Sequence, residues 1–474
     1  MIASTRIFIG SPAKCKMRAA IVASMLALGM NSALAQVAFD APDAGYEGRV
    51  RVSGATVGAP VHAGGEVTIS GQNFKPGQEI ILSRGTTPIA SQPFVADQEG
   101  KFTGSFSLPA EATIGMHPLV LSTAAPYHAE ILDLKISPEV ALSGADLFDT
   151  QTNKLVPGLY QSAYSAKNDA IYVTAASGRP PVKQSQIIKI DPATLEIVAS
   201  VTPSAAPGRD GGEGGVFAVY GVAVDDANDT IWVTNTRQNT VAVYKQSDLL
   251  LVKQFEPGTV EHARDVAIDE KSGKAYVSST GSPNVAVFNT ERLDLVENIE
   301  IKTTKRGKDF SVGSLSLDAG SGKLYTVSLA TDEAAIIDVS SGAVEKVFPV
   351  KGALTPIGVA HDAKTNRIFV AGQGSDNLLI IDAASGETLH DVKVGAGALN
   401  VAFDPVGHLA YVSSRDAGTV TVVDPDGKIV ANLENAPLAN HVIADGKGNV
   451  YAVNKSRGPD NPQGDRITRI TQKK

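Results

Sequence analysis

A hydrophobic pattern with a period of roughly 40 residues recurs along most of this chain. Each copy places an apolar or small residue before an aromatic residue and then continues as a mostly β-branched strand. The aromatic residues of the seven copies are Tyr172, Trp232, Tyr276, Tyr325, Phe369, Tyr411 and Tyr451. A repeat of this length is typical of architectures that stack or close identical units.

Each period contains short strands and turns and no helical stretch. The sixth period shows strands at 400–404, around Tyr411, at 419–424 and at 428–431, with a Pro-Asp-Gly turn before the last strand. Leu378, Leu379, Ile380 and Ile381 form an uninterrupted apolar run, which indicates a strand covered on both faces. Four-stranded sheets packed around an axis meet both requirements, so the pattern predicts a seven-bladed β-propeller over residues 140–474. A superhelical solenoid is the alternative, but its repeats would not supply four strands each.

The last blade is short of one strand in this scheme. After Tyr451 the chain has room for a single further strand, at 465–470. We therefore expect part of 145–157 to complete the seventh blade and remove two exposed sheet edges.

Residues 37–137 lack the repeat and read as a separate β-sandwich. Short apolar strands alternate with turn residues, as expected for such a fold. These strands lie at 67–70, 79–82, 102–106, 118–121 and 130–134. The segment 71–78, with Phe74 and a Pro76-Gly77 bend, resembles a turn of bacterial immunoglobulin-like domains. The fold class is thus all-β, with an immunoglobulin-like sandwich before the propeller, and the sandwich is either a spacer or a docking module.

The first 35 residues have the pattern of a secretory signal. Met17-Arg18 precedes a brief apolar stretch, and an Ala-x-Ala site ends at Ala35. A buried N-terminal helix is the alternative. The apolar run is too short to span a bilayer, and no later segment approaches the ~20 apolar residues that a span needs. We expect a periplasmic or secreted protein, cleaved after Ala35.

Cleavage would leave an acidic chain without cysteine. The lost segment holds four basic and no acidic residues, so the net charge changes from −8 to −12. The single cysteine, Cys15, lies in the same segment, which excludes disulfides and cysteine metal sites from the remainder. A negative surface repels phosphate backbones and anionic lipid, which disfavours nucleic-acid partners without excluding them.

Aspartate also recurs at fixed places in the repeat. One series ends the innermost strands and another precedes the outer hairpin. The two series are Asp225, Asp269, Asp318, Asp362, Asp404 and Asp445, and Asp191, Asp338, Asp382 and Asp424. A side chain required in nearly every blade caps a turn, so we interpret these residues as structural. His361 stands where sister repeats have apolar residues and is interpreted as a packed strand residue.

The repeats resemble the YVTN family of β-propellers. Residues 231–235, Ile-Trp-Val-Thr-Asn, are the closest copy, and Tyr-Val-Ser at 276–278 and 411–413 is similar. More narrowly, the chain resembles periplasmic proteins of the YncE type. The resemblance covers about 140–474 and implies the fold; some YncE-like members are associated with single-stranded DNA, which the charge of −12 disfavours here.

Loops that follow the aromatic strands and loops that enter the innermost strands open at one end of a propeller, around its channel. We place the candidate ligand-binding residues there. They are Arg179, Arg209, Asn235, Arg237, Arg264, Arg415, His441, Lys455 and Arg457. Together they suggest a cationic mouth for a small anionic ligand or an acidic patch of a partner. The alternative is neutralisation by acids on the same loops, namely Asp210, Glu213, Asp265, Asp309, Asp332, Glu333, Asp376, Asp416 and Asp460.

Catalytic motifs are missing from the sequence. It has no nucleophile elbow, P-loop or clustered zinc-ligand spacing, and we predict no catalytic residue, metal ligand or cofactor. The favoured interpretation is a monomeric binding or scaffold protein. The alternative is a channel-centred metal-dependent hydrolase or lyase, lactonase-like, for which Asn235, Asn400, Asn440 and His441 would converge.

Overall fold

The computed structural model describes residues 41–124, 126–208, 212–435, 437–458 and 461–473. Within these ranges the protein is all-β, with short 3-10 helices at Ala145–Leu147 and Thr236–Gln238. Among the described residues, no helix combines the length and apolar character that a membrane span requires. The predicted signal segment, 1–35, lies outside the described residues.

The first eight strands form two antiparallel sheets. They are β1 Arg49–Ser53, β2 Glu66–Gln72, β3 Glu79–Arg84, β4 Thr87–Pro88, β5 Phe94–Val95, β6 Phe102–Ser107, β7 Gly115–Thr123 and β8 His128–Ile136. One sheet has the order β1-β2-β6, and the other has β4-β3-β7-β8 with β5 beside β3. We call this unit the sandwich.

The two sheets of the sandwich enclose one apolar core. Alternation along β2 and β3 sends Ile69 and Leu82 inward, where both are buried. Phe74, in the turn after β2, is also buried and meets Phe102 edge to face at 5.4 Å. Gly77 adopts a φ of 74° in the same turn, which a residue with a Cβ rarely adopts.

The remaining strands form seven four-stranded antiparallel sheets in the described chain. Blades one to three contain β10 Leu159–Ser165, β11 Ala170–Ser177, β12 Gln184–Ile190, β13 Ile197–Val201, β14 Val222–Asp225, β15 Thr230–Asn235, β16 Thr240–Lys245, β17 Leu251–Gln254, β18 Ala263–Asp269, β19 Lys274–Ser279, β20 Asn284–Asn289 and β21 Asp294–Glu300. Blades four to six contain β22 Val312–Asp318, β23 Lys323–Ser328, β24 Glu333–Asp338, β25 Val344–Pro349, β26 Pro356–Asp362, β27 Arg367–Gly372, β28 Asn377–Asp382, β29 Thr388–Lys393, β30 Ala398–Asp404, β31 Leu409–Ser414, β32 Thr419–Val423 and β33 Ile429–Glu434. Blade seven contains β34 Ala439–Ala444, β35 Asn449–Asn454 and β36 Arg466–Gln472, with β9 Phe148–Lys154 outside them.

The blades close into a ring. Each innermost strand contacts the innermost strand of the next blade, and β34 of blade seven contacts β10 of blade one. The seven repeat aromatics all lie on second strands, as the period predicts, and all are buried. Two of their hydroxyls reach the next blade: Tyr172 donates to the Gln246 carbonyl at 3.0 Å and Tyr276 to the Val339 carbonyl at 3.1 Å. In these two blades the aromatic both fills the blade and binds it to its neighbour.

Blade seven is completed by the strand that precedes blade one, which confirms the predicted closure. β9 pairs antiparallel with β36, from Phe148 opposite Gln472 to Lys154 opposite Arg466. The Asp465 carboxylate accepts the Gly158 N–H at 2.8 Å and fixes the chain as it turns from β9 into β10. β9 thereby covers the edge of β36 that would otherwise be exposed where the two ends of the propeller meet.

The recurrent aspartates act as turn caps, as interpreted from the sequence. Asp404 accepts the backbone N–H of Val406 at 3.1 Å, and Asp382 accepts that of Ser385 at 2.7 Å. His361 is a packed strand residue: its ring stacks on Tyr325 at 4.2 Å.

The sandwich rests on the propeller. Lys135 of β8 donates to the Asp376 carboxylate at 2.8 Å, and Arg457 donates to the Gly58 carbonyl at 3.0 Å. Asp376 follows the second strand of blade five and Arg457 that of blade seven. The connecting segment is fixed as well, because Ser143 pairs with Asn432 on the outer strand of blade six. The sandwich thus sits over one side of the end at which second strands finish.

Candidate ligand-binding mouth of the propeller

A cavity of about 310 Å³ opens at the end of the channel where innermost strands begin and second strands finish. We call it the mouth cavity. Its lining comes from every blade except the fifth: Tyr160, Gln161, Tyr220, Thr236, Arg237, His262, Arg264, Thr280, Leu329, Leu399, Asn400, Arg415, Asn440 and His441. The candidate ligand-binding residues were predicted to lie at this end.

Three guanidinium groups converge on the mouth cavity. Arg237 is in the 3-10 helix that follows β15, Arg264 is the second residue of β18, and Arg415 directly follows β31. No carboxylate lines the cavity in the described part of the chain. The lining is therefore strongly cationic, on a chain whose total charge is negative.

Arg415 is held in place by a neighbouring amide. Its Nη1 donates to Asn440 Oδ1, and Asn440 Nδ2 donates to the Tyr160 carbonyl at 2.7 Å. Both polar atoms of the Asn440 amide are thereby used, and the guanidinium of Arg415 is fixed between blades six and seven.

A tyrosine pair forms one wall. Tyr160 and Tyr220 meet edge to face at 4.2 Å, and Arg237 Nε donates to the Tyr220 hydroxyl at 3.2 Å. Burial, reinforced by the neighbouring Tyr220, raises the pKa of Tyr160 to about 12 although Arg415 acts in the opposite direction. Tyr160 is therefore a neutral hydrogen-bond donor at physiological pH.

Lys455 covers the Tyr160 ring behind this wall. Its Nζ lies 3.3 Å from the ring centroid, within cation–π distance. Burial, together with the charges of Arg415 and Arg237, lowers the pKa of Lys455 to about 7. Burial is the largest cause of the lowered value, and the Asp465 carboxylate acts in the opposite direction.

His441 lies at the floor of the cavity in its neutral form. Its Nδ1 accepts the Ser162 backbone N–H at 3.3 Å, so the ring hydrogen belongs on Nε2. Burial and the Arg264 charge lower the pKa of His441 to about 3. The ring is thus a neutral donor through Nε2 and does not titrate near neutral pH.

His441 belongs to a ring of side chains that joins adjacent blades. In each blade, one residue of the innermost strand pairs with the repeat aromatic, and the counterpart of His441 lies two positions before that residue. Where the counterpart has an acceptor atom, this atom accepts a backbone N–H of the next blade. These bonds run from Val222 to Gln161 (3.3 Å), from Leu315 to Asp265 (3.0 Å) and from Val442 to Asn400 (2.8 Å). Most innermost strands carry a bulge at this point, which frees the N–H from its own ladder. The ring separates the mouth cavity from the opposite half of the channel, because Gln161, Asn400 and His441 line both.

Most of the acids expected to neutralise the mouth are engaged by other partners where the structure describes them, but Asp265 and Asp416 interact electrostatically with Arg264 and Arg415. Glu213 lies 3.5 Å from Lys183, and Asp376 pairs with Lys135. Glu333 accepts the Thr304 N–H at 2.9 Å, and Asp332 accepts the Thr355 N–H at 2.8 Å. Asp265 uses both oxygens on backbone N–H groups, while Asp210 and Asp460 lie outside the described residues.

The structure brings together only part of the predicted site. Arg237, Arg264, Arg415 and His441 line the mouth cavity, and Lys455 packs behind it. Three others are elsewhere: Asn235 is buried and bonded to Gln254, Arg457 contacts the sandwich, and Arg179 is exposed on a loop outside the lining. Arg209 lies outside the described residues.

Sequence reasoning missed Tyr160, Tyr220 and His262 as lining residues. A usable signal was present, because one lining position stands twelve residues before the aromatic in the first six repeats and eleven before it in the seventh. This position holds Tyr160, Tyr220, Arg264, Gly313, Ile357, Leu399 and Asn440. Five of these seven residues line the cavity.

The hydrolase alternative would require metal ligands at the mouth cavity. Of the four residues named for it, Asn400, Asn440 and His441 meet at the cavity and Asn235 does not. In the part of the chain that the structure describes, no group of three or more His, Cys, Asp or Glu residues is arranged to hold a metal ion. Three guanidinium groups also oppose the approach of a divalent cation.

Comparisons with known proteins give a fold and no family. No family model and no curated protein matches the sequence. Among solved structures, hydrazine synthase of Kuenenia stuttgartiensis is similar with a TM-score of 0.53 and 16% identity, covering 64% of this chain and 94% of that chain. Virginiamycin B lyase of Staphylococcus aureus is similar with a TM-score of 0.53 and 14% identity. The structure of the catalytically inactive variant of that lyase with quinupristin is similar with a TM-score of 0.54 and 13% identity. Each of these two matches covers 69% of this chain and 100% of the other chain. These neighbours are β-propellers, and at this identity the likeness establishes that fold for the present chain.

Proposed function

We propose that this protein is a binding protein that holds an anionic group of a ligand or partner in its mouth cavity. The observation that carries the proposal is the convergence of Arg237, Arg264 and Arg415 on a cavity whose described lining has no carboxylate. Guanidinium groups bind carboxylate and phosphate through paired N–H donors, which gives both charge and geometric selectivity.

The overall charge supports this function. An acidic surface with one cationic recess draws anions to that recess and repels them elsewhere. The cavity volume of about 310 Å³ lies at the lower end of the range for small-molecule sites.

The finer assignment of the molecule belongs to the same proposal. The Tyr-Val-Ser repeats favour a seven-bladed propeller of the YVTN type, similar to YncE, and the turn around Phe74 favours an immunoglobulin-like sandwich. The apolar stretch before Ala35 favours export to the periplasm or the exterior. In this setting the sandwich, which rests on the mouth end, serves to position the propeller or to dock a partner beside the cavity.

Two other functions are less well supported. A metal-dependent hydrolase or lyase needs oxygen ligands, and the cavity presents guanidinium groups where carboxylates would be expected. Single-stranded DNA needs a cationic groove with free aromatic faces, whereas Lys455 covers the face of Tyr160 and the arginines meet at one point.

The proposal is tested by calorimetric titration of the purified protein with three probes: citrate, a decaglutamate peptide and a single-stranded oligonucleotide. If the wild-type protein binds one of these probes, the double variant Arg237→Gln with Arg415→Gln should bind the same probe at least tenfold more weakly. Arg292→Gln is the matched control, because Arg292 is exposed beside Asp294 in the turn between β20 and β21, at the end of blade three opposite the mouth. Binding of no anionic probe, or equal binding by the double variant, refutes the function. A magnesium- or calcium-dependent gain in thermal stability that the double variant retains would favour the hydrolase instead.

A further inference from the structure

We propose that the anion is a small, compact oxyanion of two or more negative charges, such as a polycarboxylate or a phosphorylated compound, with one acidic group against Arg264 inside the channel. This inference rests on the proposed function and narrows it, since it excludes an acidic protein surface as the ligand.

The first argument is the position of Arg264. It projects from the innermost strand β18, next to Asp265 of the ring that forms the cavity floor, whereas Arg237 and Arg415 follow second strands. Arg264 Nε is inaccessible to solvent and has no hydrogen-bond partner among the described residues. A buried guanidinium with an unpaired N–H is costly, and the neighbouring Asp265 gives both oxygens to backbone N–H groups, so an oxyanion beside Arg264 would stabilise the guanidinium.

The second argument is the balance of donors and acceptors. The amide and imidazole acceptors of three lining residues are occupied by the protein: Asn440 Oδ1 by Arg415, Asn400 Oδ1 by the Val442 N–H and His441 Nδ1 by the Ser162 N–H. The charged groups of the lining are all donors, namely the guanidinium N–H groups, and the remaining hydroxyls can donate as well. A fully deprotonated oxyanion satisfies such a set, and a neutral sugar or an amine does not.

The third argument is the number of charges. Three arginines from blades two, three and six share a cavity of about 310 Å³. Their mutual repulsion is felt by their neighbours, because the pKa values of Lys455, His262 and His441 are all lowered, in each case first by burial and then by these arginines. Asp265 and Asp416 offset the charges of Arg264 and Arg415 only in part, since neither carboxylate lines the cavity. A multivalent anion therefore compensates the three cations more completely than a single carboxylate does.

The fourth argument is access. The sandwich occupies the mouth end of blades five and seven through Lys135 on Asp376 and through Arg457 on Gly58. A flat protein surface approaching this end would meet the sandwich and the rim loops before it reached Arg264. A small molecule has no such obstacle.

The experiment compares probes of different valence and size against matched variants. Citrate and pyrophosphate represent the carboxylate and phosphoryl forms of the ligand, acetate is the monovalent comparator, and decaglutamate stands for an acidic protein surface. We expect citrate or pyrophosphate to bind the purified protein at least tenfold more tightly than acetate. Arg264→Gln should weaken that binding at least tenfold, and Arg292→Gln should leave it unchanged. Since Arg264→Gln could disturb the ring, Arg264→Lys is measured too; it keeps the charge but lacks the planar fork, and should bind with intermediate affinity.

The outcomes separate this inference from the function on which it rests. If decaglutamate binds through Arg237 and Arg415 while citrate and pyrophosphate do not bind, the small-oxyanion inference is wrong and the anion-binding function still holds. Acetate binding as tightly as citrate and pyrophosphate also overturns the small-oxyanion inference, as does full affinity in both folded Arg264 variants. Binding of none of the four probes overturns both.

Discussion

Lys135 Nζ of the sandwich lies 2.8 Å from Asp376 Oδ1 of blade five, and the Asp376 side chain is only 2% exposed. The same Oδ1 accepts the Gly397 backbone N–H at 2.6 Å, so this carboxylate also joins blade five to blade six. Lys135 further donates to the Gln373 carbonyl at 3.1 Å. One aspartate thus links the sandwich to the rim of the mouth.

Replacing Lys135 by Met should destabilise the protein, because it leaves a buried carboxylate with only backbone donors. Removal of one partner of a buried pair costs about 3–5 kcal/mol, and the 26% exposure of Lys135 places this variant at the lower end. Urea unfolding measures the loss. The double variant Lys135→Met with Asp376→Asn should recover part of the lost free energy of unfolding. If the double variant loses as much free energy as the two single variants added together, the two side chains do not form a pair.

Phe148→Ala should loosen the closure of the propeller. Phe148 is buried at the start of β9 and meets Tyr411 edge to face at 6.3 Å. Truncation of a buried phenylalanine costs about 3–5 kcal/mol, and the loss falls on the strand that completes blade seven. In hydrogen exchange, amides of β36 should lose protection before those of β28, the corresponding strand of blade five. Equal loss in both strands would mean that β9 has no special part in closure.

The propeller was predictable from the sequence because its rules repeat. A buried aromatic on every second strand and an aspartate at or directly after the end of six of the seven innermost strands repeat along the chain. The strand missing from blade seven followed from counting the strands of each repeat. Strand positions in the sandwich were also predictable, since alternating apolar residues such as Ile69 and Leu82 define one buried face.

The mouth was predictable only in part because loop charge alone does not say where a side chain points. Arg457 and Arg237 both occupy loops after second strands, yet one binds the sandwich and the other lines the cavity. The contact of the sandwich with the propeller joins residues such as Gly58 and Arg457 that are far apart in the sequence. No local pattern predicts such a pair.

Gly221→Ala should strain the contact between blades two and three. A Cβ at this position would lie 2.4 Å from the Arg264 carbonyl oxygen and 2.8 Å from Thr234 Oγ1. The backbone of β18 would have to move, at a cost of about 1–3 kcal/mol. Thermal unfolding measures the loss, with Gly458→Ala as control because a Cβ there meets nothing within 4 Å. A wild-type melting temperature for Gly221→Ala would show that the blades are less tightly apposed.

Asn440→Ala should weaken anion binding through Arg415. The variant removes the amide oxygen that fixes the guanidinium and the amide donor to the Tyr160 carbonyl. We expect citrate affinity to fall about tenfold, which corresponds to about 1.4 kcal/mol. The melting temperature serves as the control for folding. An unchanged affinity in a stable variant would show that Arg415 is positioned without Asn440.

His441 should make the propeller sensitive to mild acid. In the unfolded chain its pKa is about 6.5, whereas burial and the Arg264 charge lower the pKa to about 3 in the folded protein. Between these values the unfolded state binds more protons, so the free energy of unfolding falls as the pH falls, by up to ~1.4 kcal/mol per pH unit. Urea unfolding at pH 7 and pH 5 measures this slope before most carboxylates titrate.

His441→Gln is the matched variant for this measurement. Its amide oxygen can accept the Ser162 N–H that His441 Nδ1 accepts, but the side chain has no proton to gain. The variant should therefore lose less stability than the wild type between pH 7 and pH 5. Equal losses in the two proteins would mean that the imidazole becomes charged in the folded state, with Asp265 as the carboxylate of the ring that would compensate it beside Arg264.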